Sequence, residues 1–203
     1  MKNLIRRIFL IYFIINEFQG VFMKKLIGIF CCTLLQLSFG QVLNTATTLS
    51  PGAFSFGVAP IIFVEQGNDL GLYVNAGLGV SRSVDLGFKL RFDGNHTYIG
   101  GDIEFLVLGN RPSISLATGV HAHHEVGIDG TFNLSFPLAR VASLYCGLDA
   151  DMDFYSHDTV FPCWGFFGLQ VSIRRSLALL MEIDIGLNDP AYNMLDFGLN
   201  VIF

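Results

Sequence analysis

The chain has 203 residues, 52% of them hydrophobic and only 14% charged, against about 25% charged in an ordinary soluble domain. No run of 18 apolar residues could cross a bilayer as a helix, which excludes a polytopic helical protein; the low charge excludes a highly charged disordered chain. Twelve Lys and Arg against seventeen Asp and Glu leave no basic excess, so nucleic acid is not among the expected partners.

The first element in chain order is a targeting segment over residues 1–40. Met23-Lys24-Lys25 is a basic start, Leu26 to Leu37 an apolar middle, and Ser38 and Gly40 are the small residues of a cleavage site before Gln41. Met23 is a second plausible initiator, so residues 1–22 read as an over-extended start. Phe30 before Cys31 and Cys32 disfavours a lipid anchor. The expected mature chain opens with a short lead, 41–51. It carries seven Lys and Arg against sixteen Asp and Glu, and keeps Cys146 and Cys163, too few for a disulfide scaffold.

From residue 52 to 203 the pattern alternates with period two. Leu72, Val74, Ala76, Leu78 and Val80 share one face, opposite Gly71, Tyr73, Asn75, Gly77 and Gly79. Val84, Leu86, Phe88, Leu90 and Phe92 oppose Asp85, Gly87, Lys89 and Arg91. Strict alternation over 8 to 12 residues signals strands, with no helical spacing. Turn residues such as Asp93-Gly94-Asn95 and Asn188-Asp189-Pro190 punctuate the runs. The segmentation predicts ten strands, at 52–63, 70–81, 84–92, 97–108, 113–124, 128–138, 142–154, 160–173, 176–187 and 194–203, with eight as the alternative count. Pro60 is the awkward residue, because a closed barrel has no edge where a missing N–H is harmless.

Composition decides which face is inside. A soluble exterior needs many Lys and Glu, yet the polar faces hold Gly, Ser, Ala and Asn, which suit a narrow interior. The opposite faces carry Leu, Phe, Val and Ile throughout, as a lipid-facing band does. Phe63, Phe92, Tyr98, Phe154, Tyr155, Phe161, Trp164 and Tyr192 lie near strand ends and suggest interfacial girdles. The fold expected is all-β: a transmembrane antiparallel up-and-down β-barrel in contact with the lipid bilayer. A secreted soluble barrel or sandwich is the rival.

The last strand ends Leu195, Phe197, Leu199, Val201, Phe203, an alternating apolar face closed by a terminal aromatic. With the ten alternating runs, this resembles the small outer-membrane β-barrel proteins of Gram-negative bacteria. The resemblance implies export with a cleaved signal peptide, an outer-membrane location, a periplasmic N-terminus, and Phe203 as an assembly signal read by the outer-membrane insertion machinery.

Candidate chemistry lies on the polar faces. Asp85, Asp102, Glu104, Asp149, Asp151, Asp153, Glu182, Asp184 and Asp196 are placed in the lumen as an acidic lining, with Lys89 and Arg91 as its basic members. Buried charges must pair or stay hydrated, so Lys89 and Arg91 are expected to bridge to carboxylates across the barrel. Such a lumen is either a salt-bridged plug or a narrow path favouring small cations. His121, His123 and His157 with Asp153 form a candidate metal group at the outer mouth, although H-A-H-H has no zinc-type spacing. No G-x-S-x-G, phosphate loop or H-E-x-x-H is present. Glu182-Ile183-Asp184 stands where the His-x-Ser pair of lipid A deacylases would be. The reading is therefore non-enzymatic, without a cofactor: a structural envelope barrel or narrow cation-favouring pore, with a ligand- or metal-binding surface protein as the alternative.

Overall fold

A computed structural model describes residues 45–64, 69–94, 96–123 and 125–203, and the expected targeting segment 1–40 lies outside them. The strands are β1 (Phe54–Phe63), β2 (Asp69–Ser81), β3 (Val84–Asp93), β4 (His96–Gly109), β5 (Ser113–Ala122), β6 (Val126–Pro137), β7 (Ala142–Phe154), β8 (Thr159–Val160), β9 (Cys163–Arg174), β10 (Leu177–Gly186) and β11 (Met194–Ile202). No helix occurs among the described residues. Each long strand pairs antiparallel with its sequence neighbour, β7 pairs with both β6 and β9, and β11 returns to β1. The ring is therefore closed by ten long strands, not eight. The two-residue β8 only folds back on the end of β7, pairing Phe154 with Thr159.

Burial is inverted relative to a soluble protein. Leu72, Phe88, Ile103, Phe132, Leu148, Phe167, Ile183 and Phe197 are exposed on the outside of the ring. Asp85, Glu104, Asp129, Asn133, Glu182, Asp184, Asp196 and Asn200 are buried inside it. In water this arrangement would expose a continuous apolar belt and bury charge; in a bilayer it places each group where its solvation is favourable. The outward side chains face lipid. Strands of 9 to 14 residues span the hydrocarbon layer when tilted.

The narrow lumen is packed above its lower rim, the end where β1 begins and β11 ends. Ala59, Tyr145, Phe166, Ala178 and Leu180 form a small core, and Tyr145 is fully buried. Gly168 on β9 makes room for it, since a Cβ there would stand 2.1 Å from the Tyr145 ring. Gly127 likewise admits the His121 ring, at 2.3 Å from a would-be Cβ. Small residues opposite large ones let bulky side chains fill a ring this tight.

Several boundaries differ from the pattern for local reasons. Pro162 cannot donate to a ladder, so β9 begins at Cys163 and not near 160; the Pro162 carbonyl instead accepts from the Asp151 N–H at 3.0 Å. Pro60 lies in β1 but points outward, and the β1–β11 register skips Ala59 and Pro60 while the β2 side runs unbroken. Interrupting one ladder locally is how a closed ring accommodates a missing N–H. Register shifts at Gly79/Ser81, Leu106/Leu108 and Leu177/Ala178 sit at the lower rim, where bulges help strands curve.

Candidate functional site

The lumen widens at both ends and narrows between them. An outer vestibule of about 550 Å³ is bounded by Phe63, Tyr98, His121, Asp153, Trp164 and Tyr192 among others. A lower one of about 590 Å³ lies between residues 45–53 and the ends of β9 and β11. Between them lie two small cavities, of about 90 and 60 Å³. The inward parity of each strand puts Asp85, Asp102, Glu104, Asp149, Asp151, Asp153, Glu182, Asp184 and Asp196, with Lys89 and Arg91, on the luminal side.

Charge pairing inside is local, and not across the barrel as expected. Lys89 Nζ lies 2.7 Å from Asp102 Oδ2 on the adjacent strand, because Asp102 sits diagonally from Lys89 in the β3–β4 register. Arg91 Nε binds Asp93 Oδ2 two residues along its own strand at 3.0 Å. Its guanidinium lies 5.9 Å from the Phe63 ring centre and 5.2 Å from that of Tyr98. Both luminal cations are thus engaged near the β3 side of the ring.

The register sets carboxylates directly opposite one another three times: Asp85 with Glu104, Asp129 with Asp151, and Glu182 with Asp196. Like charges facing across strands repel, so each pair needs compensation. For the first pair, the Leu49 N–H donates to Asp85 Oδ2 at 2.6 Å, and the Ser115 hydroxyl donates to Glu104 Oε1 at 2.5 Å. Near the second, His121 places Nε2 2.7 Å from Asp153 Oδ1 and Nδ1 3.4 Å from Asp129 Oδ2, and its ring stacks on Tyr98 at 5.1 Å. Asp149 accepts from the Thr131 hydroxyl at 2.6 Å. The third pair, joined by Asp184, makes no ion pair with Lys, Arg or His among the described residues, although Lys89 and Arg91 border the same cavity.

Of the expected mouth group, His121 and Asp153 meet, whereas His123 and His157 do not converge with them among the described residues. His157 is exposed in the loop after β7, and His123 Nε2 lies 3.7 Å from Asp93. The expected mouth group is replaced by another. Glu182, Asp184 and Asp196, from β10 and β11, offer oxygens all within 4.8 Å of one another. All three residues were visible in the sequence as luminal acids, but only the β10–β11 register draws them together.

Half of the expected girdle turns inward. Phe63 and Trp164 are buried, Tyr192 packs edge-on to Phe63 at 5.4 Å, and the Trp164 indole N–H donates to the Tyr192 carbonyl at 3.0 Å. Phe92, Phe154 and Phe161 stay exposed. The parity of Phe63 with Ser55 and Ile61 carried that signal. Cys146 and Cys163 are free on adjacent strands; Cys146 faces Phe167 and Cys163 faces Ala150, four register positions apart.

The lead, whose role the sequence did not suggest, enters the lower lumen. Thr45, Ala46 and Leu49 are buried, and the Ala46 N–H donates to the Ser135 hydroxyl at 2.9 Å. Around the lower rim Arg82, Arg111, Arg140, Arg174 and Arg175 are exposed in or beside the turns.

No family model matches the chain, and no curated protein matches it. It is similar to a de novo designed transmembrane β-barrel, with 11% identity over 77% of this chain and 100% of that one and a TM-score of 0.43. It is also similar to the outer membrane protein Ail of Yersinia pestis in a phospholipid nanodisc (12% identity, 75% and 99% covered, TM-score 0.39). The translocator domain of the autotransporter NalP from Neisseria meningitidis is a third (10% identity, 76% and 89% covered, TM-score 0.39). At such values none of them carries a functional argument. On its own ring closure and inverted burial, the chain is a ten-stranded transmembrane antiparallel β-barrel.

Proposed function

We propose that this barrel serves the bacterial outer membrane as a structural envelope protein whose lumen is closed to solutes at rest. The observation that supports the reading is that the cavities between the two wide vestibules are small, about 90 and 60 Å³ against about 550 and 590 Å³. A hydrated solute needs a continuous path, and Tyr73, Lys89, Asp102 and the lead residue Leu49 stand around these narrow points. The turns at the end holding the termini have two to four residues, whereas three of the five connections at the other end have five, seven and eight, which suits a periplasmic N-terminus. On this reading the segment before Gln41 is a cleaved export signal, Phe203 is read by the insertion machinery, and the lower arginines meet lipid headgroups. No catalytic role is proposed.

The second reading, a narrow cation path, is favoured by one feature: luminal carboxylates far outnumber Lys89 and Arg91. Reconstitution in planar bilayers separates the two. The closed barrel gives no resolvable conductance in its intact form. Steady cation-selective steps that fall when Asp149 and Asp151 are replaced by Asn would replace it with the pore, and anion selectivity would reject both.

A further inference from the structure

We propose that Glu182, Asp184 and Asp196 form a luminal site for one hard divalent cation of the calcium class. The inference is independent of whether the lumen conducts. Glu182 and Asp196 face each other across the β10–β11 ladder, and Asp184 follows two residues on, so their side chains share the inner face. Their ligand oxygens lie within 4.8 Å of one another, a span that calcium–oxygen bonds of about 2.4 Å bridge as it stands. Among the described residues no other group of three His, Cys, Asp or Glu converges this way.

Two further observations point to a ligand. Glu182 Oε2 and Asp196 Oδ1 are buried oxygens without a hydrogen-bond partner, on residues only 3% and 5% exposed. The same three residues border the cavity of about 90 Å³, room for an ion with some of its water. The contrast within the molecule is also informative. Asp85 Oδ1 and Asp129 Oδ1 are also unpartnered, but the Asp85–Glu104 pair has the Leu49 N–H and the Ser115 hydroxyl, and the Asp129–Asp151 pair lies beside His121. Lys89 and Arg91, which border the same cavity, are held by Asp102 and Asp93. The Tyr145 hydroxyl beside Glu182 and the contact between Asp184 and Asp196 supply no positive charge. Lys89 and Arg91 act on the cluster only across the cavity, and three buried carboxylates with no cation in contact need a bound cation or protons. An all-oxygen carboxylate set selects calcium or magnesium over zinc or copper, and the span favours the larger ion.

The test uses the membrane-extracted protein in dodecyl maltoside, which has no phosphate to bind metal, after stripping with EDTA. Calorimetric titration with calcium chloride should show one saturable equivalent, and the unfolding temperature should rise with calcium. Asp196→Asn and Glu182→Gln should each weaken binding about tenfold or more, while Asp158→Asn in the exposed loop after β7 leaves it unchanged. Should a luminal variant fail to fold, the wild-type chain still decides: terbium should bind with tyrosine-sensitised emission that calcium displaces. Absence of saturable binding and of that emission overturns the site, as does binding retained in both luminal variants. Variants that raise the unfolding temperature equally with and without calcium, over a calcium-insensitive wild type, would show that protons occupy the cluster instead.

Discussion

The backbone N–H of Leu49 donates to the Asp85 carboxylate at 2.6 Å, linking the N-terminal lead to a luminal residue 36 positions away. The lead thereby becomes part of the lower lumen. A hydrogen bond to a charged group contributes about 1.5–3 kcal/mol, and removing the acceptor strands a buried donor. Asp85→Ala should lower unfolding stability by roughly that amount in urea titrations. It should also release residues 45–50, giving bilayer recordings a higher open probability than the wild type. Wild-type recordings that persist unchanged in the variant would separate the lead from closure.

Tyr145 and Gly168 form a second dependence. Gly168→Ala drives a Cβ to 2.1 Å from the ring, with the strands held by their ladder. Overpacking of this kind costs about 1–3 kcal/mol. Chemical denaturation should show that loss, and Tyr145→Leu in the same chain should restore part of it by vacating the space.

At the seam, the Phe203 N–H donates to the Phe54 carbonyl at 3.0 Å and the two rings lie 5.8 Å apart. Deleting Phe203 removes both contacts where the ring closes. The heat-modifiable folded band from envelope fractions should fall several-fold, whereas Phe203→Tyr should assemble near the wild-type level.

His121 ties β5 to β6 and β7 through Asp129 and Asp153. His121→Ala leaves two carboxylates without that partner beside Asp151, so a loss of about 1–3 kcal/mol is expected in the same titrations. His121→Gln, which keeps one donor, should lose less. Equal stability of all three chains would show that the vestibule is held by its aromatics alone.

Most of the fold was legible before any coordinates. A strand's side chains alternate strictly, so Leu86, Phe88 and Leu90 against Asp85, Lys89 and Arg91 declare both the strand and its two environments. The same parity points to the luminal acids, Asp129 excepted from the expected set, while proximity to a strand end suggested a girdle for Phe63, which is buried. Pro162, which cannot donate to a ladder, starts β9 about three residues later than the alternation alone implies. Of the metal candidates, His121 and Asp153 meet, and the others stand apart for a different reason. Residues close in sequence, His121 and His123, share a face, but which carboxylates meet them depends on neighbouring strands.

The amino-acid sequence by itself determined the strands, their two-faced character and the inversion of polar and apolar surfaces, because these follow from local periodicity and solvation. Only the tertiary structure decided ring closure at ten strands, the lead's entry into the lumen, the Lys89–Asp102 and Arg91–Asp93 pairings, and the meeting of Glu182, Asp184 and Asp196. Those depend on register between strands. A shift of one residue would leave each strand's alternation intact yet turn its luminal face to lipid, and a shift of two would keep the faces but give every carboxylate a different partner.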